Sequence, residues 1–481
     1  MHTMVFSGTT FLFLFLPLLL LLYFIRSGIR WRNSVLLVFS LLFYSWGEPV
    51  WAIGMVVVTY INHYFALNIA RSKKKRARRR MLTIAVFVSL IGLVYFKYSA
   101  FIVNTFLAIF RVRARMAPRH LPIGISFYTF QILTYTVDVY RGKAAPQKRF
   151  ADTLLYIACF PQLIAGPIVQ YGDVCEQLTE RETSMNDFAL GMERFVLGLA
   201  KKILLANLCG QMLDATRLAT GAEELSFAGA WLSGILYSMQ LFFDFSAYSD
   251  MAIGLGRVFG FKYKENFDHP YVSGSVTEFW RRWHMSLSSF FRDYVYIPLG
   301  GNRRGDGRTV LNLLAVWALT GLWHGASWNF VCWGLYYFVF LMLEKFVLRR
   351  FLAHWPGFLR HLVTLMIITV GWVLFYYTDL GQGLTHVRAM LGFVSGPDGL
   401  HRAALIDETA ILALKQYSFF LPIAMLCCLP LVSRLKALFS GTKKRQRFGH
   451  VLGLIALTGL LVLSIVFLLG QTYNPFIYFR F

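Results

Sequence analysis

The chain has 481 residues, of which 57% are hydrophobic and only 15% charged, and its formal net charge is +24. Soluble domains carry roughly 25% charged residues and about 45–50% apolar ones, so a water-soluble globule is excluded: it could not hide this much apolar surface, whereas lipid can. Nucleic-acid binding is the other account of a strongly basic chain. It fails on placement, because the cations sit in short clusters between apolar runs, the pattern of a positive-inside membrane protein.

In chain order, the apolar run Val5–Ile25 has no basic region before it and no small-residue cleavage site, so it reads as a retained span and not as a signal peptide. Arg26, Arg30 and Arg32 follow it and place the first loop in the cytoplasm. Ser34–Trp46 leads out. Val50–Ala70 leads back to Arg71–Arg80, which holds eight basic residues in ten and suits anionic membrane lipid or a phosphate. Met81–Tyr98 and Phe101–Phe110 read as a further pair returning to the basic stretch Arg111–His120. Near the other end, Lys345, Arg349 and Arg350 mark a cytoplasmic loop. His361–Tyr377 crosses to an outer loop between Asp379 and Glu408, and Ile411–Leu431 returns to a loop with Arg434, Lys436 and Lys443–Arg447. Val451–Gly470 crosses last, so both termini are expected outside. The six cysteines form no CxxC pair or metal spacing.

Between Leu121 and Trp333 the apolar runs are broken by Pro122, Gly124, Pro161, Gly166, Pro167 and polar residues. Interrupted helices at membrane depth survive only where they pack on protein or line a cavity, so the site is expected there. There is no internal repeat of the kind that builds many transporters. The expectation is an all-α, polytopic integral membrane protein of roughly 10–12 transmembrane helices plus re-entrant segments. It is read as one domain, with N-terminal spans over 1–120, a catalytic core over 121–345 and C-terminal spans over 346–481.

Ionisable residues in such segments are costly and mark function. The first stretch is Gly321-Leu-Trp323-His324-Gly325-Ala-Ser-Trp-Asn329. Leu311–Tyr337 goes in and comes back with His324 near the apex, and Gly321 and Gly325 let another backbone approach. An imidazole there can take a proton from a hydroxyl; the alternative is a histidine that only bonds across helices. The second stretch is Ser275–His284. Ser275 and Glu278 form a capping box, Glu278 and Arg282 pair at i,i+4, and a continued helix would put Trp280, Arg281, His284 and Ser288 on one face. Two aromatic rings, Arg281, Arg282 and His284 suit a charged, partly apolar ligand; the alternative is an interfacial helix with snorkelling arginines. The following loop, Pro298–Gly305 with Arg303 and Arg304, offers backbone N–H groups and charge to a phosphate. The third stretch, Asp244–Asp250, reads as a structural polar network reaching histidines, arginines or its own members. Gly254-x-Gly256-x-x-x-Gly260 lies in an apolar helical run and reads as helix packing. Serine-hydrolase, Walker and zinc-protease motifs are missing from the sequence, so no metal is expected.

Together with Met4-Val-Phe-Ser-Gly, Leu121-Pro-Ile-Gly-Ile-Ser-Phe, Pro161–Pro167, Asp244–Gly256, Glu278–His284, Gly321–Gly325 and Asn474–Phe481, these motifs run over nearly the whole chain. On them the sequence resembles the membrane-bound O-acyltransferase family, in the bacterial branch that serves alginate acetylation. The resemblance implies a helical fold around a central pore, with His324 matching the family's catalytic histidine and His284 its second histidine. It implies transfer of acetyl groups across the bacterial inner membrane to an exported polysaccharide, with an extracytoplasmic acetyltransferase or acceptor protein as partner. The expected donor is acetyl-CoA, with no permanently bound cofactor. Its phosphates would meet Arg281, Arg282, Arg303 and Arg304, and Trp280 and Trp323 would line the site. Asp244, Asp250 and Glu278 would support the site as a polar network. Alginate, cellulose and peptidoglycan stay open as acceptors, and a glycan or acyl carrier or a secretion scaffold stay open as non-enzymatic alternatives.

Overall fold

Backbone amides inside a bilayer have no water to bond, so a chain of this composition must close its hydrogen bonds within helices. The computed structural model does so. It describes residues 4–218, 225–348, 351, 354–396, 398–431, 439, 441–470 and 476–477. Arg349, Arg350, Arg434, Lys436 and, apart from Phe476 and Ile477, the closing motif Asn474–Phe481 lie outside the described residues.

The first helices are α1 (Phe11–Phe24), α2 (Ile29–Gly47), α3 (Pro49–Arg71), α4 (Lys75–Ile109), α5 (Ile125–Arg141), α6 (Phe150–Ala158), α7 (Met185–Thr216) and α8 (Phe227–Val258). Then come α9 (Val276–Arg282), α10 (Met285–Phe291), α11 (Asp306–His324), α12 (Trp328–Leu348), α13 (Gly357–Tyr376) and α14 (Leu380–Met390). Strands β1 (Phe393–Gly396) and β2 (Gly399–Arg402) pair antiparallel, with Phe393 opposite Arg402. The chain ends on α15 (Glu408–Gln416), α16 (Phe420–Cys427) and α17 (Lys443–Gly470). Among the described residues six helices, α3, α4, α7, α12, α13 and α17, are long and apolar enough to cross a membrane, or seven if α15 and α16 form one span. The protein is a polytopic, all-α membrane protein.

Three expectations change. The run Val5–Ile25 holds only α1, which rises roughly 21 Å against a hydrocarbon core of about 30 Å; a turn closed by Gly8 N–H to Val5 C=O precedes it. Met81–Tyr98 and Phe101–Phe110 are one helix, α4, because no proline or glycine interrupts Leu93–Ile109 and a π-turn at Val94–Tyr98 absorbs the irregularity. Arg71–Arg80 and Arg111–His120 therefore lie at opposite ends of α4. His120 accordingly bonds Glu48 at the start of α3 (3.0 Å), the end remote from Arg71. Third, Ile411–Leu431 is bent by 75° between α15 and α16. Pro422 has no N–H to donate backward and so belongs in the first turn of a new helix.

The chain forms two compact units, Met1–Leu199 with Tyr248–Glu265, and Ala200–Ala247 with Asn266–Phe481. Lipid is as apolar as a leucine side chain, so helices in it are joined by close packing and interhelical hydrogen bonds. In the first unit Asn62 of α3 donates to Ser89 of α4 (2.9 Å) and accepts from Thr136 of α5 (3.0 Å). Gly191 and Gly254 let α7 and α8 touch, since a Cβ on either would lie 2.6 Å from the other's carbonyl oxygen. Gly254 is thus a packing residue, as its helical setting predicts.

In the second unit α11 and α12 form a hairpin turned at Gly325–Ser327. A Cβ on Gly321 would come 2.3 Å from the Phe330 carbonyl oxygen, and one on Gly334 2.4 Å from that of Trp317. Overpacking of this kind costs on the order of 1–3 kcal/mol. Gly334→Leu should therefore lower the thermal unfolding midpoint in detergent. Gly307→Ala on the same hairpin, where a Cβ meets nothing within 4 Å, should leave it unchanged or raise it.

Asp407 clips the segment after β2 to the start of α8. Its carboxylate accepts from Ser226 Oγ, from Ser226 N (3.3 Å), from Thr409 Oγ1 (2.6 Å) and from Ala410 N (2.7 Å). Burial pushes this carboxyl up, but those bonds outweigh it and hold it below the usual carboxylate range. The folded pKa is depressed, so the clip's stabilisation is complete above the unfolded value of about 3.9 and is lost as pH falls through the folded value. Hydrogen exchange should show Asp407→Asn opening the β1–β2 region at neutral pH, with the wild type approaching the variant only in acid.

Candidate active site

His324 is the last residue of α11 and is 7% exposed. Gly325, in extended backbone, stops the helix behind it. The imidazole Nδ1 lies 2.7 Å from the Thr320 carbonyl oxygen. A carbonyl only accepts, so Nδ1 carries the proton and Nε2 carries the lone pair. Edge-on contacts orient the ring: its centroid is 4.9 Å from Trp333, 4.9 Å from Trp323 and 5.3 Å from Phe375. The turn behind it is pinned by Asn329, which donates to the Tyr377 carbonyl and accepts from Ser327 Oγ.

His284 is 1% exposed and sits between α9 and α10 with a φ of +44°. Helix α9 ends at Arg282 because Trp283 is extended, and the left-handed His284 then starts α10 in a new direction, so the single face expected for Trp280, Arg281, His284 and Ser288 does not form. His284 turns inward, whereas Arg281 and Ser288 are exposed. Its Nδ1 lies 3.1 Å from Asn266 Oδ1, which also receives Ser286 N–H (3.2 Å) and Ser286 Oγ–H (2.8 Å). The backbone N–H can only donate, so the carboxamide atom facing it is oxygen and His284 Nδ1 must donate to it. Nε2 of His284 is therefore the lone-pair nitrogen, and it is buried with no hydrogen-bond partner among the described residues. Trp323 joins the two histidines, its ring 4.9 Å from His324 and 5.9 Å from His284.

The Ser275 cap forms as read, with the return bond from Glu278 made one residue earlier, at Gly274. Ser275 Oγ accepts from Glu278 N (3.0 Å), while the Glu278 carboxylate accepts from Gly274 N (3.0 Å) and pairs with Arg282 Nε (3.0 Å). Arg282 also pairs with Asp268 (2.9 Å). Glu344 of α12 accepts from Val276 N (2.5 Å) and Thr277 N (2.8 Å), an anion at the positive end of α9. Trp280 packs its ring against Trp317 (4.9 Å) and Tyr337 (4.8 Å) as part of the aromatic wall below His324.

Arg303 and Arg304 are exposed in the loop before α11. They are separated from His324 by the rise of that helix, roughly 28 Å. Four of the loop's backbone N–H groups are engaged within the chain. Those of Leu299, Gly300, Gly301 and Arg303 all bond carbonyls within the turn, and Asn312 holds the Gly301 carbonyl (2.8 Å).

The three acids meet three different cations. Asp244 pairs with Lys202 of α7 (2.6 Å), both buried, and accepts from Ile477 N (2.8 Å). Asp250, in the first unit, pairs with Arg194 (2.9 Å), which also holds Glu265 (2.5 Å). Glu278 pairs with Arg282. Lys202 was legible by the rule that flagged the acids, since it too is a charge inside an apolar helix. Asn266, Ser286 and Tyr377 carry no such signal, and only folding brings them to the histidines or the hairpin turn. Among the described residues no group of three or more His, Cys, Asp or Glu side chains is placed to hold a metal ion.

Two buried imidazoles, each with Nδ1 facing an oxygen acceptor, lie in the second unit of a helical membrane fold. Comparison with known proteins gives its class. The profile of the MBOAT, membrane-bound O-acyltransferase family, matches residues 141–381. The chain is 39% identical over 426 residues to the probable alginate O-acetylase AlgI of Pseudomonas aeruginosa, covering 87% of this chain and 81% of that protein. It is 37% identical to the protein of the same name from Azotobacter vinelandii, over 99% of this chain and 100% of that one. The peptidoglycan O-acetyltransferase of Helicobacter pylori is 32% identical, over 81% of this chain and 80% of that protein. The chain belongs to the membrane-bound O-acyltransferase family and is an acyltransferase, which removes the carrier and scaffold alternatives.

Asn266 emerges as a positioning residue for His284. Asn266→Ala should lower the acyl-transfer kcat roughly tenfold or more, with protein level unchanged. Asn266→Asp keeps the acceptor and should restore part of the rate, with an acidic limb of the pH–rate profile at higher pH because a carboxylate favours imidazolium. A merely structural asparagine would leave that profile where it was.

Proposed function

We propose that the chain is an O-acetyltransferase. On this reading it takes acetyl groups from cytoplasmic acetyl-CoA and passes them across the bacterial inner membrane for O-acetylation of an exported polysaccharide such as alginate. The observation that carries the reading is the tautomer of His324, which directs a lone pair from Nε2 inside an aromatic enclosure. Overall similarity to two alginate O-acetylases supports acetyl as the group moved.

Nε2 of His324 accepts the proton of an acceptor hydroxyl as that oxygen attacks the thioester carbonyl carbon. The C–S bond then breaks, and the leaving thiolate takes the proton back from the imidazolium. The thioester supplies the driving force, so no ATP is consumed. His284, whose Nε2 is also a lone-pair nitrogen, accepts from a second hydroxyl or N–H of the acceptor, since the attacking hydroxyl's one proton goes to His324 and an unprotonated nitrogen cannot donate to an acyl carbonyl. Arg281, Arg303 and Arg304 meet the phosphates of the donor, Arg282 being engaged by Glu278 and Asp268. An extracytoplasmic acetyltransferase or acceptor protein takes the group onward. Arg71–Arg80 and Lys443–Arg447 face the cytoplasm by their charge, with the C-terminus outside. Similarity to a peptidoglycan O-acetyltransferase favours a second reading in which peptidoglycan is the acceptor through the same chemistry.

The test is transfer of label from acetyl-CoA by purified protein reconstituted with candidate acceptors. Removing a general base costs about 10²–10⁴-fold, so His324→Ala should abolish detectable transfer while insertion and thermal midpoint stay normal. Retained transfer in that variant would remove His324 from the chemistry. Label appearing on peptidoglycan fragments and not on alginate would select the second reading.

A further inference from the structure

We infer that a cleft in the first unit, apart from any residue assigned above, binds the phosphate group of an anionic ligand. The cleft has a volume of ≈ 730 Å³ and is walled by the start of α2, the α5–α6 connection Lys143–Arg149, the start of α6, and residues 175–179. Its cations are Arg30, Lys143, Lys148 and Arg149, and its acids are Asp152 and Glu176.

These charges do not cancel locally. Lys143 is held by Asp138 (3.6 Å) and Gln170 (3.4 Å). Asp152 is buried and accepts from the Asn33 amide (3.3 Å). Arg30, Lys148 and Arg149 are exposed and form no ion pair among the described residues, against the single exposed carboxylate of Glu176. The backbone adds to this excess. Both α2 and α6 begin at the cleft; the N-cap of α2 is Gly28, which has no side chain, and that of α6 is Arg149, whose side chain does not bond the first turn, where Asp152 is the acid. The first turn of α2 also contains no acid. Helix N-termini present N–H groups and partial positive charge to an anion. The floor is rigid, because Gln147 is fixed by Tyr171 OH (3.1 Å) and the Cys175 carbonyl (2.8 Å).

A cavity of this size holds a nucleotide or a lipid headgroup, and both present phosphate. The first source is the phosphorylated end of a nucleotide thioester such as CoA; the second is an anionic phospholipid. The inference rests on the proposed function only in naming CoA as one source, and it is measured by binding without turnover, so its failure leaves the histidine chemistry untouched.

The experiment uses full-length protein in nanodiscs. One arm measures equilibrium binding of labelled CoA in phosphatidylcholine discs. The other measures retention of phosphatidylglycerol by native mass spectrometry. The triple variant Arg30→Glu, Lys148→Glu, Arg149→Glu changes exposed side chains and should leave the thermal midpoint unchanged. It should weaken one ligand roughly tenfold or more, since each surface cation contributes measurably to holding an anionic partner. Arg111→Glu, Arg113→Glu, Arg115→Glu makes the same charge change at exposed residues after α4, outside the cleft, and serves as the comparison. Loss confined to CoA makes the cleft a nucleotide site additional to the one proposed at Arg281, Arg303 and Arg304; loss confined to phosphatidylglycerol makes it a headgroup site. Equal losses in the two triple variants, or no loss in either arm, overturns the inference.

Discussion

The hydrogen bond on which the proposed chemistry depends joins His324 Nδ1 to the carbonyl of Thr320, a turn earlier on the same helix. A carbonyl oxygen only accepts but has two lone pairs, so it can take the imidazole proton in addition to a backbone donor. The bond selects the tautomer, and the lone pair at Nε2 follows from it.

The surroundings serve to keep that ring where it is. Gly321 and Gly334 let α11 and α12 meet backbone to backbone, which no side chain would permit. Trp333, Trp323 and Phe375 then fill the space around the imidazole with rigid rings. Lipid gives no hydrophobic reward for burying such rings, so shape fit and polar bonds bear the load. Asn329, held to the Tyr377 carbonyl, and Glu344, capping α9, are polar bonds of that kind. His284 is fixed by the same logic from a different source: a buried carboxamide three times an acceptor.

Charge inside this protein is managed pair by pair. Lys202 with Asp244 and Arg194 with Asp250 and Glu265 each bring a cation in an apolar helix to a carboxylate from another segment. Breaking a buried pair by removing one partner leaves an uncompensated charge, so these pairs hold segments together as effectively as they neutralise. At the cleft near α2 and α6, three exposed cations that form no ion pair among the described residues border a cavity large enough to receive an anion.

Composition and the spacing of apolar runs determined that this is a helical membrane protein, since only lipid accommodates so much apolar surface. The cost of an ionisable group at depth was enough to single out His324, His284 and Glu278, and the capping box at Ser275 formed where its pattern lay. The sequence could not decide continuity. A π-turn let α4 run through where two helices were expected, and Pro422 broke a run that read as one. Nor could it decide partners. The face expected for Trp280, Arg281 and His284 dissolved because the backbone turns extended at Trp283 and left-handed at His284, and Asn266, 18 residues before His284, became its acceptor. Periodicity reports which side of a helix is apolar; which nitrogen of a histidine carries its proton depends on whichever oxygen the fold brings to it.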